Sequence, residues 1–426
     1  MSGHELFTDI GNRDVVVVGK GLFGVAAARH LAQAGARVVL VGPGEPVRYA
    51  DHDGVFSSHY DESRIVRTTA RDLTWARLTQ RSIAAFQQLE RETGIHFYHR
   101  RPGMHLVDQW HSSAFLDVVE GLLPALQTPV TMLDDPRSIR EQLPLLKVRP
   151  GARGFVERGD AGFIEPRKLI QAQVSAFVAV GGQVIDDIVE RIEHRPSGLL
   201  VSTRSGLCLT ANQVLVATGA YTNSAGLLPE PLNLRVKCEH VLVARLEGLD
   251  AHAAAAFPTL VYEGAIGALS DFYLTPPLRT PDGAWEIKMG CNTAQDRFLR
   301  DTVEINAWMR ADMDPHIKQQ MHEVLQGLLP SLRLVASKAR KCIVTYTPKT
   351  LPMIGPVADG LFVVTGGNGM GAKASDAIGE LAARALWGNA WQSPLYQAGM
   401  LPELRASAAS DDRAFSLRGM TRSVGN

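Results

Sequence analysis

At 426 residues and 45% apolar composition the chain can bury a large core, and two domains are expected because single cores stop growing near about 250–300 residues. Its 44 basic and 44 acidic residues cancel, which excludes a global field for nucleic acid or an anionic membrane and leaves a small molecule as the natural partner. Four cysteines, far apart and without a C-x-x-C, exclude a zinc site and a disulfide framework; with no apolar run of signal-peptide or membrane-spanning character, a cytoplasmic protein is expected.

Residues 1–13 read as a short polar leader. Asp14 to Val41 then reads as a βαβ unit: four consecutive valines make a buried parallel strand, an Ala-rich helical run follows, and Val38–Val41 forms a second strand. Gly19, Gly21 and Gly24 supply G-x-G-x-x-G where the first strand turns into the helix, with Leu22 and Phe23 between the last two glycines. Glycine is needed first for the tight turn, next so that backbone N–H groups can approach a pyrophosphate, and last for close helix–strand packing. The unit is a dinucleotide cradle with one part missing. Where an acidic residue normally ends the second strand and holds the ribose, Val41 is followed by Gly42-Pro43-Gly44, with Glu45 three residues late. Either Glu45 folds back to substitute, or the rest of the cofactor is held elsewhere.

Phe56 to Arg67 is too polar for a core strand and reads as a loop near the cofactor, its two arginines able to clamp anions. Leu73 to Glu92 is an amphipathic scaffold helix. His96 and His99 have a metal-like spacing but no third ligand, and Arg100 and Arg101 beside them would repel a cation, so a solvated turn is expected there. Leu106 to Lys147 mixes short helical and Pro-containing segments. Pro166 opens a helix through Val180, and strands follow at Val184–Ile185, Ile188–Val189, Leu199–Thr203 and Gln213–Ala217. The last of these runs into Ala217-Thr218-Gly219-Ala220, a small-residue turn at a strand's carboxyl end, where open α/β sheets bind ligands.

Leu232 to Lys288 is β-rich and broken by Pro276-Pro277 and Pro281-Asp282-Gly283, as in an antiparallel sheet of a second domain. Thr302 to Leu328 is helical, broken at Pro315. After a strand at Leu361–Thr365, Gly366-Gly367-Asn368-Gly369-Met370-Gly371-Ala372-Lys373 forms a second glycine-rich strand-to-helix junction, and the following helix reaches about Trp387. Residues after Leu401 form a polar tail.

Taken together, the N-terminal fingerprint, Ser58-His59-x-Asp61-x-Ser63-Arg64-Ile65-x-Arg67, Ala217-Thr218-Gly219-Ala220, Lys288, Lys341-Cys342 and Gly369-Met370-Gly371-Ala372-Lys373 resemble the FAD-dependent amine oxidases of the monomeric sarcosine oxidase and N-methyltryptophan oxidase group. The resemblance covers nearly the whole chain in order. It implies an α/β protein with a glutathione-reductase-like, FAD-binding Rossmann domain from residues 12–95, 150–225 and 335–400. Residues 96–149 and 226–334 would form a substrate domain whose antiparallel sheet covers the flavin, with 401–426 as the tail.

By the same resemblance Gly19, Gly21, Leu22, Phe23, Gly24, Ser58, His59, Val189, Thr218, Gly219, Gly369, Gly371 and Lys373 contact FAD, and Cys342 matches the cysteine that bonds the flavin covalently. Arg67 and Lys373 match the two cations that hold a substrate carboxylate, Arg64 an arginine beside the flavin ring, and Lys288 the lysine that promotes oxygen reduction. The departures are Tyr60, Met370 and Asn292 in place of histidines, and Val344 in place of an aromatic. Tyr60 and Met370 are therefore expected at the substrate, with the carboxylate clamp kept and the pocket walls changed.

The activity implied is oxidation of a secondary amino acid, N-substituted or cyclic, to an imine, with hydride passing to N5 of FAD and oxygen returning hydrogen peroxide. A dehydrogenase that hands electrons to a quinone or protein carrier, and a non-catalytic nucleotide-binding protein on the same scaffold, are the alternatives. A monomer or small homo-oligomer is expected.

Overall fold

The computed structural model describes residues 13–48, 51–52, 54–60, 62–108, 114–293 and 297–405; Asp61 lies outside them. The chain opens with β1 (Arg13–Val18), α1 (Leu22–Gln33), β2 (Val38–Val41), β3 (Arg64–Val66), α2 (Leu73–Thr93), β4 (Tyr98–Arg100) and β5 (Gly103–Val107). Next come α3 (Ala114–Leu126), β6 (Val130–Leu133), α4 (Pro136–Gln142), β7 (Arg153–Glu157), β8 (Gly162–Ile164), α5 (Pro166–Ala179), β9 (Gln183–Ile185), β10 (Val189–Arg195), β11 (Gly198–Thr203) and β12 (Cys208–Val216). The second half holds β13 (Arg235–Glu247), α6 (Ala251–Ala256), β14 (Thr259–Ile266), β15 (Leu269–Arg279), β16 (Trp285–Thr293) and β17 (Phe298–Leu299). It ends with α7 (Thr302–Arg310), α8 (Pro315–Leu328), β18 (Arg333–Tyr346), β19 (Met353–Ala358), β20 (Leu361–Thr365) and α9 (Ser375–Leu386).

One sheet runs β10-β11-β12-β1-β2-β9, with β20 beside β12 and β19 beside β20. Its β20, β12, β1, β2 and β9 are parallel. Alternation along β1 divides the core: Val15 and Val17 pack against α1, α2 and α9, whereas Val16 and Val18 pack against Val189, Leu199 and Val201 of the antiparallel strands. A second sheet runs β17-β13-β16-β15-β14-β5-β7-β6 with β18 beside β13, and a small third sheet runs β3-β8-β4. On β16, Ile287, Met289 and Cys291 join a core with Met321 and Leu325 of α8. The pleat leaves Lys288, Gly290 and Asn292 on the opposite face.

Pairing shifts two of the expected boundaries. Although β7 and most of β18 fall in segments expected to build the nucleotide domain, β7 pairs with β5 and β6, and β18 with β13, in the antiparallel sheet. The loop expected at 56–67 ends in the short strand β3, and the turn expected at His96–His99 runs into β4. There His99 stacks on Phe163 and contacts Glu165 at 2.7 Å, while His96 lies 2.9 Å from Glu90.

The helical layer is locked by one carboxylate. Asp376 at the start of α9 is fully buried and lies 2.6 Å from Arg29 Nη2, 3.0 Å from His30 Nε2 and 2.8 Å from Gln173 Nε2, which ties α9 to α1 and α5. Burial acts to raise its pKa, but His30, Arg29 and Gln173 outweigh burial and hold it far below the usual carboxylate range. Removing it strands a buried guanidinium. Asp376→Ala is expected to cost about 3–5 kcal/mol of unfolding free energy in denaturant melts at neutral pH; a cost within error of zero would refute this role.

Candidate active site

A cavity of about 640 Å³ opens at the carboxyl edge of the parallel strands and extends under the antiparallel sheet. Three neighbouring strand ends form its head. Gly19 N–H donates to Val41 O at 2.7 Å and Ala217 N–H to Val18 O at 2.8 Å, so β2, β1 and β12 stop at one level. Each fingerprint glycine has its own reason. Gly19 sits at φ +112°, and a Cβ there would lie 2.5 Å from Ala217 O. A Cβ on Gly24 would lie 1.9 Å from Gly19 O, so that glycine lets α1 close onto the strand. At Gly21 a Cβ would meet nothing within 4 Å, which leaves the backbone open to an approaching ligand. Gly21 also caps α1 with no side-chain hydrogen bond, so the first N–H groups of the helix face outward for an anion.

The surroundings fit the group expected there. Leu22, Phe23, Val189, Thr218 and Gly219 line the cavity, and Thr218 Oγ1 is buried with no protein partner among the described residues. Glu45 does not fold back toward the ribose position: Arg167 holds both its oxygens at 2.7 Å. Gly369 and Gly371 line the cavity, and a Cβ on Gly371 would lie 2.8 Å from the Phe23 ring, so the second glycine-rich turn packs directly on the first.

Midway along the cavity, Arg64 Nη2 lies 2.6 Å from Ser58 O and 3.6 Å from Cys342 Sγ. Cys342 is buried in β18 and lines the cavity. His59 lies just behind this wall, buried, with Nδ1 lacking a protein partner among the described residues. Burial, reinforced by the charges of Arg167, Arg64 and Lys20, pushes His59 down to about 3. Its ring is therefore neutral at physiological pH.

The far end gathers charges. Arg67 and Lys373 are both buried on the cavity wall, and Lys373 Nζ donates to the Arg67 carbonyl at 2.8 Å. The irregular segment after Arg67 is pinned by Glu157, whose carboxylate accepts from Thr68 N and Oγ1 at 2.6 and 2.8 Å and from Thr69 N and Oγ1 at 2.9 and 2.6 Å. Arg67 Nη1 lies 2.5 Å from His105 Nδ1, and His105 Nε2 lies 3.0 Å from Glu263. Arginine only donates, so Nδ1 must be bare and Nε2 must carry the proton toward Glu263; His105 is a neutral spacer between a cation and an anion. Burial acts to raise Glu263, but His105 together with Arg71 and Arg67 outweighs it and holds the carboxyl at about 2.

Besides Gly24 in the helix–strand packing and His59 behind the wall, two more expected residues are not on the cavity lining. Tyr60, expected at the substrate, is not on the wall of the cavity: its hydroxyl lies 3.4 Å from Gly44 O and 3.3 Å from His52 Nε2, at the nucleotide end. Its segment there is drawn toward the loop after β2 by these contacts, so the corrected position is beside that loop. Lys288 stands just behind the wall, its Nζ donating to Ser63 O at 2.6 Å and lying 5.4 Å from the Tyr273 ring centre. Met370 lines the cavity, and so does Asn292, which accepts a hydrogen bond from Lys237 Nζ at 2.8 Å.

Sequence reasoning missed Tyr273, His105, Glu263 and Asp271. The Tyr273 ring covers Gly290, where a Cβ would lie 2.2 Å from it, and Asp271 accepts from Gly264 N–H at 3.2 Å. The signal that singled out Lys288, a charged residue inside an apolar strand, was equally present at Glu263 within Thr259–Ile266 and at His105 within Gly103–Val107.

Known proteins resemble this chain in sequence and in fold. Monomeric sarcosine oxidase of Streptomyces avermitilis is 27% identical over 382 residues, covering 87% of this chain and 92% of that protein. N-methyl-L-tryptophan oxidase of Yersinia pestis is 27% identical over 218 residues, 51% of this chain and 55% of that one. In fold, the chain is similar to NikD, an unusual amino acid oxidase essential for nikkomycin biosynthesis, with TM-score 0.75, 19% identity and coverage of 93% and 98%. Glycine oxidase from Geobacillus kaustophilus superposes with TM-score 0.70 at 19% identity, over 93% of this chain and 100% of that one. The FAD dependent oxidoreductase pattern, DAO, matches residues 14–385, and with the glycine cradle and the charged cavity beyond it this chain belongs to that family.

Proposed function

We propose that the protein oxidises a secondary amino acid, N-substituted or cyclic, to the corresponding imine. The observation that carries this reading is the meeting, on one cavity, of the dinucleotide cradle with two buried cations, Arg67 and Lys373. FAD, when bound, accepts a hydride equivalent at N5 and passes the electrons to oxygen as hydrogen peroxide. Gly19, Gly21 and the amino end of α1 would hold its pyrophosphate, and Thr218 and Gly219 the adjoining chain.

The side chains of this protein then bind and orient. Arg67 and Lys373 receive the substrate carboxylate, a point of attachment that leaves the amine and its neighbouring C–H free to face the ring. His105 and Glu263 fix the direction of Arg67 without neutralising it, since the imidazole between them keeps arginine and carboxylate apart. Arg64, and Lys288 behind Ser63 and Tyr273, would supply positive charge that favours an anionic reduced flavin. Cys342 would hold the cofactor covalently, a reading supported by its burial on the cavity wall and by the Arg64 guanidinium 3.6 Å from its sulfur. The substrate enters as the free amine, so no side chain is assigned as general base. Tyr273, Met370, Asn292 and Asp271 form the wall that meets the nitrogen substituent, and their mix of aromatic, thioether and polar groups is unlike a pocket trimmed for a single methyl.

Under air, a panel of N-methyl and cyclic amino acids is expected to yield one equivalent of peroxide per imine formed; turnover that needs an added quinone and yields no peroxide would replace the oxidase by a dehydrogenase. Arg67→Ala is expected to lower kcat/KM by about a hundredfold or more, mostly through KM, because a charged hydrogen-bond partner of the substrate is removed. Acid precipitation is expected to leave the yellow colour on the native polypeptide and to release it from Cys342→Ser; colour released from both would sink the covalent assignment. Glu263 contributes stability above its ordinary value of 4.5 and loses it as pH falls through about 2. The melting-temperature gap between native protein and Glu263→Gln is therefore expected to be constant from pH 7 to pH 5 and to shrink below that, and a gap that grows in acid would contradict the relay.

A further inference from the structure

The family fingerprint lacks its ribose acid at Gly42, and the structure explains why no acid fits there. A Cβ on Gly42 would lie 2.7 Å from Lys20 N and 3.0 Å from Lys20 Cγ, so the space is filled by the middle residue of Gly19-Lys20-Gly21. The Lys20 side chain, which lines the cavity, crosses this gap and forms an ion pair with Asp186.

Asp186 occupies the matching place one strand over. β2 and β9 are parallel with Val41 opposite Ile185, and Gly42 N–H donates to Ile185 O at 3.1 Å, so the next pair in register is Gly42 and Asp186. Asp186 lines a smaller cavity of about 200 Å³ that shares Pro43, Ile188 and Arg204 with the wall of the main one, so its carboxylate stands beside the end of the cradle. Other carboxylates near this end are engaged: Glu45 by Arg167, Glu190 by Arg204 at 2.8 Å, and Asp187 by Ser205 Oγ at 2.5 Å and Ile188 N–H at 2.7 Å. The Asp186 side chain is 73% exposed, and one ammonium leaves most of the lone-pair positions on its two oxygens open.

We infer that Asp186, aimed by Lys20, replaces the missing acid and accepts the hydroxyls of the adenosine ribose. The acid has moved from the second strand to the edge strand, and a lysine within the glycine turn has taken up the space. This rests on the dinucleotide reading of the cavity, and the test separates the two.

The probes are ADP, 2′-deoxy-ADP and 3′-deoxy-ADP, titrated calorimetrically into flavin-free full-length Cys342→Ala protein and into the same protein carrying Asp186→Ala or Asp186→Asn. In the parent, loss of a ribose hydroxyl is expected to weaken binding about tenfold or more, as for a hydrogen bond to a charged group. Asp186→Ala is expected to weaken ADP by a similar factor and to bind all three nucleotides alike, with Asp186→Asn between. Because Asp186 is exposed, these variants are expected to retain the parent's melting temperature within about 2 °C. Undiminished discrimination in Asp186→Ala overturns the ribose assignment while leaving the nucleotide site standing. A parent that binds neither ADP nor FAD sinks the nucleotide reading and the assignment with it.

Discussion

The carbonyl of Ala217 and the α-carbon of Gly19 approach so closely that no side chain can stand between them. That contact holds the ends of β12 and β1 side by side, and the main-chain bonds from Gly19 to Val41 and from Ala217 to Val18 bring β2 to the same level. The first consequence is a bare backbone edge with the amino end of α1 beneath it, the surface a pyrophosphate needs. The second is that the turn after β20, packed on Phe23 through Gly371, delivers Lys373 to the far end of the cavity. Binding of the nucleotide and placement of the second cation thus follow from the same close packing.

Much of this was legible in the sequence because glycine spacing and valine runs report backbone geometry directly. The βαβ unit, the helix at Pro166, the break at Pro315 and both glycine-rich junctions occur as read. That β7 and β18 pair within the antiparallel sheet was not legible, for a physical reason: pairing partners are chosen by register over long separations, and a short apolar run carries no mark of which edge it joins. Tyr60 was misplaced for a related reason. A residue beside a motif inherits the motif's neighbourhood in one dimension, but the chain there turns its side chain toward Gly44 and His52.

The polar set around Arg67 was the least legible part. His105, Glu157 and Glu263 come from three strands of the antiparallel sheet, β5, β7 and β14, and none has a sequence neighbour that hints at Arg67. Each taken alone is an isolated charged or polar residue in an apolar strand. Together they satisfy one another: Glu157 takes four hydrogen bonds from Thr68 and Thr69, and Glu263 is matched by His105 and Arg71. Buried polar groups left half satisfied destabilise a fold, so their completeness identifies a built wall.

Cys342 lies on β18, which pairs only within the antiparallel sheet along its described length, while the glycine cradle belongs to the parallel one. A dinucleotide held at its phosphates by one layer and, as proposed for Cys342, bonded at its ring by the other would be a tie-rod across the seam between them. Its loss would then be felt mechanically as well as chemically, since the two layers would keep their internal hydrogen bonds but surrender a shared strut.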